Sequence, residues 1–162
     1  MGAEDLARDE RESCITWVRG DQLADATVYS SRLIAQIQRL GVSGRRVDGG
    51  AMHYRFDPSR LRLRLPRRLR RAAVQEPDLL GFSADEEELA VRFNEADQDA
   101  VVYTTSSRWA RVLCRQGVPW ERDGWGVRFC IPKAAVKVFP KRRATARQLS
   151  LLAAGAEGRL RR

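Results

Sequence analysis

The sequence holds one histidine, His53, and three cysteines, Cys14, Cys114 and Cys130, with no Cys-x-x-Cys pair among them. Zinc centres of the Cys/His type take several such ligands at short spacing, so this set argues against one. A single histidine also excludes a mechanism built on a histidine pair. No apolar run approaches the roughly 20 residues of a membrane span, and no membrane partner is expected. Phosphate-cradling glycine loops are missing too, because Gly49-Gly50 and Gly124-x-Gly126 read as hairpin turns. The odd cysteine number, with no secretory leader, points to a reducing cytoplasm. Lysine is scarce: of 30 basic residues, only Lys133, Lys137 and Lys141 are not arginine.

Positive charge is what the chain has in excess, with a net charge of +9 over 162 residues. A GC-rich genome accounts for arginine over lysine whatever the function, and the forked guanidinium also suits phosphate. The excess is local. Arg55, Arg60, Arg62, Arg64, Arg67, Arg68, Arg70 and Arg71 stand close together against one acid, Asp57. A weaker echo follows in Lys133, Lys137, Lys141, Arg142 and Arg143.

The chain also reads as one pattern written twice. Ile15-Thr16-Trp17 answers to Val91-Arg92-Phe93, and Ala26-Thr27-Val28-Tyr29 to Ala100-Val101-Val102-Tyr103. Arg32, Arg39 and Gly41-Val42 answer to Arg108, Arg115 and Gly117-Val118. From Asp48 to Arg68 the match to Asp123–Arg143 runs without a gap. Self-similarity at this spacing predicts one fold unit used twice. Each copy has about 55–60 residues, a size that is marginal alone, so the copies are expected to pack as a pseudo-two-fold pair within a monomer.

Within each copy the periodicities predict two strands, a helix and two or three further strands. Leu33, Ile34, Ile37 and Leu40 form a helical stripe, and Trp109, Val112 and Leu113 form its counterpart. Ser30 or Ser31, and Ser106 or Ser107, are expected to cap the helices, with Gly41 and Gly117 ending them. Met52, Tyr54 and Phe56 alternate inward, leaving His53 and Arg55 outward. Leu61, Leu63 and Leu65 alternate inward, which places Arg60, Arg62 and Arg64 side by side on one exposed strand face. The expected fold is therefore α+β: two tandem ββαββ(β) repeats, each an antiparallel sheet with a helix on one face. Residues 1–12 form a charged lead-in, 13–71 and 89–143 the repeats, 72–88 an acidic, solvated linker, and 144–162 a basic, partly helical tail.

Catalysis finds little support. His53 stands beside Arg55, and the recurring Asp21/Asp97, Asp25/Asp99 and Asp48/Asp123 sit at turns, where backbone hydrogen bonding explains them. No catalytic residue, cofactor or metal is expected, and the chain reads as a non-enzyme. Closely packed arginines repel one another, and a polyanion relieves that repulsion. The candidate nucleic-acid contacts are Arg55, Arg60, Arg62, Arg64, Arg67, Arg68, Arg70, Arg71, Lys137, Lys141, Arg142 and Arg143. Sequence-specific readout has no motif here. Trp17, Tyr54, Phe56, Phe93 and Phe129 read as core, while Trp120 and Trp125 flank a turn and are candidates for exposed contacts. The same strand could instead be a solvated edge that uses charge against aggregation. A protein partner, bound by an inhibitor or adaptor acting on a host or defence complex, also stays open.

The runs Ile15-x-Trp17-x-Arg19-x-Asp21 and Ala26-x-Val28-Tyr29-Ser30, with Phe93-Asn94-Glu95-Ala96-Asp97 and Val102-Tyr103-Thr104, resemble small bacteriophage and prophage proteins of unknown function. Leu65-Pro66-Arg67-Arg68 and Phe139-Pro140-Lys141-Arg142 resemble the closing element of that group. The chain departs from it in carrying two copies. The resemblance implies a phage setting and action in the host cytoplasm, and it carries over no catalytic residue.

Overall fold

A computed structural model describes residues 11–79 and 87–140. Among these residues the chain is α+β, with a large antiparallel sheet and two α-helices. Strands β1 (Glu12–Val18) and β2 (Ala24–Val28) lead to helix α1 (Ser31–Arg39), followed by β3 (Gly44–Arg46), β4 (Met52–Phe56) and β5 (Leu61–Leu63). After residues 80–86 come β6 (Glu88–Asn94), β7 (Asp99–Thr104), α2 (Ser107–Cys114), β8 (Trp120–Asp123), β9 (Gly126–Pro132) and β10 (Val136–Val138). The lead-in before residue 11 and the tail beyond 140 lie outside the described residues.

Eight strands form one sheet in the order β3-β4-β2-β1-β6-β7-β9-β8. The halves therefore join edge to edge, through antiparallel pairing of β1 with β6. In that ladder Ile15 faces Val91, Ser13 faces Phe93 and Trp17 faces Leu89. The last strands leave this sheet: β5 and β10, one from each half, pair as a separate antiparallel ribbon.

Alternation decides which face is covered. Ile15, Ala26, Val28, Tyr54, Val91, Val102 and Phe129 are buried on one face, as the period of two requires. Leu33 and Ile37 of α1 and Trp109 and Leu113 of α2 close over them, and Leu61, Leu63, Val136 and Val138 of the ribbon complete the same core. Burying side chains of this size stabilises by about 1.5–3 kcal/mol each, which holds three-residue strands that could not persist alone. The opposite sheet face has no covering layer among the described residues. A cross-strand row runs over it from Arg55 through Asp25, Thr16, Ala90 and Tyr103 to Arg128.

Two local expectations are corrected. Ser30 and Ser106 occupy the N-cap positions, but neither side chain makes a capping bond. Buried Ser13 instead accepts hydrogen bonds from the backbone N–H groups of Tyr29 and Ser30 at 3.0 and 3.4 Å, and Thr104 Oγ1 accepts from Ser106 N at 3.0 Å. The sheet thus supplies the entry to each helix. Cys130 is exposed because its side chain falls on the uncovered face. Residues 72–79 are not simply solvated: Val74 N donates to Cys114 O, Trp120 Nε1 to Gln75 O, and Leu79 is buried.

Candidate nucleic-acid interface

The basic segment starts at a tight turn. Pro58 opens a 3₁₀ turn, and the Asp57 carboxylate accepts a hydrogen bond from Ser59 N at 2.9 Å. Leu61, Leu63 and Leu65 then turn into the core. Arg62, between them, faces outward and stands directly opposite Lys137 of β10. Its guanidinium donates to the carbonyl oxygens of Ser59 and, at 3.0 Å, of Leu61. The ribbon is closed at its ends by Arg64 N donating to Ala135 O and Phe139 N donating to Arg60 O.

Beyond β5 the chain runs to the C-terminal end of α2. Gln116 holds it there, donating to Leu63 O at 2.9 Å and accepting from Leu65 N at 2.8 Å. Arg70 Nε donates to Leu65 O, and Arg71 N donates to Gln116 O. Arg67 and Arg68 sit in an exposed 3₁₀ turn. Carbonyl-rich helix ends favour nearby positive charge, which gives part of this cluster a structural use as well.

The arginines do not all lie together. Arg60, Arg62 and Arg64 alternate as expected, but β5 is three residues long, so Arg60 belongs to the preceding turn and Arg64 follows the strand. Arg60 and Arg62 are half-buried and Arg64 is exposed. Arg55 leaves the group altogether. It lies on the uncovered sheet face, where its Nε is 3.2 Å from Asp25 Oδ1, and His53 Nε2 is 3.3 Å from the same oxygen. One carboxylate thus stands between two basic side chains. Lys141, Arg142 and Arg143 lie outside the described residues.

Among the described residues the ion pairs include Arg19–Glu87, Arg55–Asp25, Arg111–Glu76 and Arg128–Glu121. No ion pair among them takes Arg60, Arg62, Arg64, Arg67, Arg68 or Lys137. Helix arginines that were not singled out from the sequence extend the charge. Arg32 and Arg39 on α1, and Arg108, Arg111 and Arg115 on α2, are exposed. Arg32 Nη2 reaches across to Lys133 O at 2.9 Å and Val136 O at 3.3 Å, so α1 abuts β10. The signal was available, since neither helix contains an aspartate or glutamate.

The other chemical groups are quiet. Burial pushes the thiols of Cys14 and Cys114 up, and Cys130 is raised by partial burial first and by the Asp99 charge second. Thiols held protonated are poor nucleophiles. Trp120, a candidate for outside contact, is half-buried and spends its N–H on Gln75 O at 2.8 Å, whereas Trp125 is 80% exposed. A cavity of about 300 Å³ beside the uncovered face is lined by Val101, Pro119, Glu121, Arg128 and Cys130, with Arg128 already paired to Glu121. Among the described residues no cluster of histidine, cysteine or carboxylate could hold a metal ion, and no helix is long and apolar enough to cross a membrane. No known protein family, curated protein or solved structure matches the chain.

Proposed function

We propose that this chain is a non-enzymatic, phage-type accessory protein that acts in the host cytoplasm and binds DNA or RNA through phosphate contacts. The observation that carries the reading is the Arg62–Lys137 pair. Like charges directly opposite on two strands destabilise the pairing. Here the pair is extended by Arg60, Arg64, Arg67 and Arg68 with no carboxylate neutralising it among the described ion pairs. A polyanion turns that cost into affinity. Replacing Arg62, Arg64, Arg67 and Arg68 with glutamate is expected to abolish retention on DNA and RNA at low salt. For the parent, about six phosphate contacts give a slope of about −5 in log affinity against log salt. Equal binding by the reversed variant at low salt would sink the reading.

We further propose that the halves are copies of one unit related by a pseudo-two-fold axis. Two registers support this. The residues that answer to each other in sequence, Ile15 and Val91, face each other in the sheet, and so do Arg62 and Lys137 in the ribbon.

The uncovered sheet face supports a second reading, a protein-binding inhibitor or adaptor acting on a host or anti-phage defence complex. Val101 is 41% exposed there, and Trp125 stands out at the adjoining β8–β9 turn. Capture of one host protein after nuclease treatment, by protein that carries no nucleic acid, would favour it over the first.

A further inference from the structure

Resting on the nucleic-acid reading and the pseudo-two-fold, we infer that the ligand is a duplex, laid across the α1–β10–β5–α2 layer with a local dyad over Arg62 and Lys137. The layer carries positive charge in three strips: α1, the ribbon and α2. Arg32 ties α1 to β10, and Gln116, just past α2, ties that end to β5, so the ribbon lies between the helices.

Symmetry favours two strands over one. Ile15–Val91 and Arg62–Lys137 are the centres of the two ladders that join the halves. An axis through both would exchange α1 with α2, and Arg39 with Arg115. A single strand has a direction and no dyad, so it cannot meet two such strips equivalently. The antiparallel strands of a duplex can, as protein two-folds do on palindromic sites. The distribution of rings agrees. Unpaired bases are bound by stacking on exposed aromatics, but Trp109, Tyr54, Phe56, Phe93 and Phe129 are 6% exposed or less. Phe139, at 40%, is one ring at the end of β10, and Trp125, at 80%, is one ring at the β8–β9 turn; neither makes a stacking platform.

The experiment uses fluorescence anisotropy on the full chain with DNA and RNA duplexes of about 24 base pairs and single strands of equal length, at several salt concentrations. The expected result is duplex binding at least about tenfold tighter than single-strand binding, since the backbone charge of two strands is engaged. Whichever duplex binds better identifies the source. Arg39→Gln and Arg115→Gln, both exposed and without a hydrogen bond that holds the layer together, are each expected to weaken duplex binding about three- to tenfold and to an equal degree. Unchanged thermal unfolding of both variants separates lost contacts from lost folding. Equal affinity for single strand and duplex overturns the inference while leaving backbone binding intact. So does a large effect at one position and none at the other. No binding to any of the four probes defeats the underlying function instead.

Discussion

At Gly117 the backbone has φ of +76°, and the N–H groups of Gly117 and Val118 donate to Cys114 O and Leu113 O. This is the Schellman closure of α2, which favours glycine at that position. A Cβ there would lie 2.6 Å from Ala72 O. Gly41 ends α1 at φ of +70°, yet a Cβ there meets nothing within 4 Å. Gly41→Ala is therefore expected to cost about 1 kcal/mol of left-handed strain. Gly117→Ala should cost about 1–3 kcal/mol more, because the backbone of residues 71–72 must also be displaced. Urea unfolding of the two variants tests this; equal losses would mean that the segment after the basic cluster does not pack on α2. The sequence announced both glycines as helix ends. It gave no sign of their different surroundings, because the neighbour of Gly117 is 45 residues away in the chain.

The ribbon of β5 and β10 shows what a short element owes to its setting. Its inner side, Leu61, Leu63, Val136 and Val138, is 2% exposed or less. Its outer side places Arg62 against Lys137. Replacing Lys137 with glutamine, which leaves the Arg62 hydrogen bonds to Ser59 O and Leu61 O in place, should stabilise the ligand-free protein by at most about 1 kcal/mol at low salt. The gain should shrink as salt screens the pair. The same variant should lose affinity for nucleic acid. Thermal unfolding at two salt concentrations is the check, and a variant less stable than the parent at both would show that the pair is held by something other than repulsion offset by a ligand. The alternation of leucine and arginine was legible from the chain. The identity of the facing strand was not, since pairing between residues 75 apart leaves no local trace.

For the whole molecule, cohesion between the halves follows from β1 on β6 and β5 on β10. Residues 11–79 alone would expose the edge of β1 and leave Leu61 and Leu63 without their partner strand. Such a fragment should be unfolded, or should self-associate by pairing β1 with a second β1, and fragments of the two halves should assemble when mixed. Circular dichroism and sedimentation of the separate and mixed halves decide it. A half that folds cooperatively as a monomer would contradict this account.

Sequence periodicity determined the elements here, because side-chain alternation and helical stripes are local properties of the chain. It also determined the α+β class and the concentration of charge after Arg55. Tertiary structure decided what the charges do. It set Arg55 on Asp25 across the sheet from the ribbon, opposed Arg62 to Lys137, and put the helix arginines in the ribbon's layer. Electrostatics depends on distance and solvent exposure, and for residues far apart in the chain both are fixed only when the strands pair.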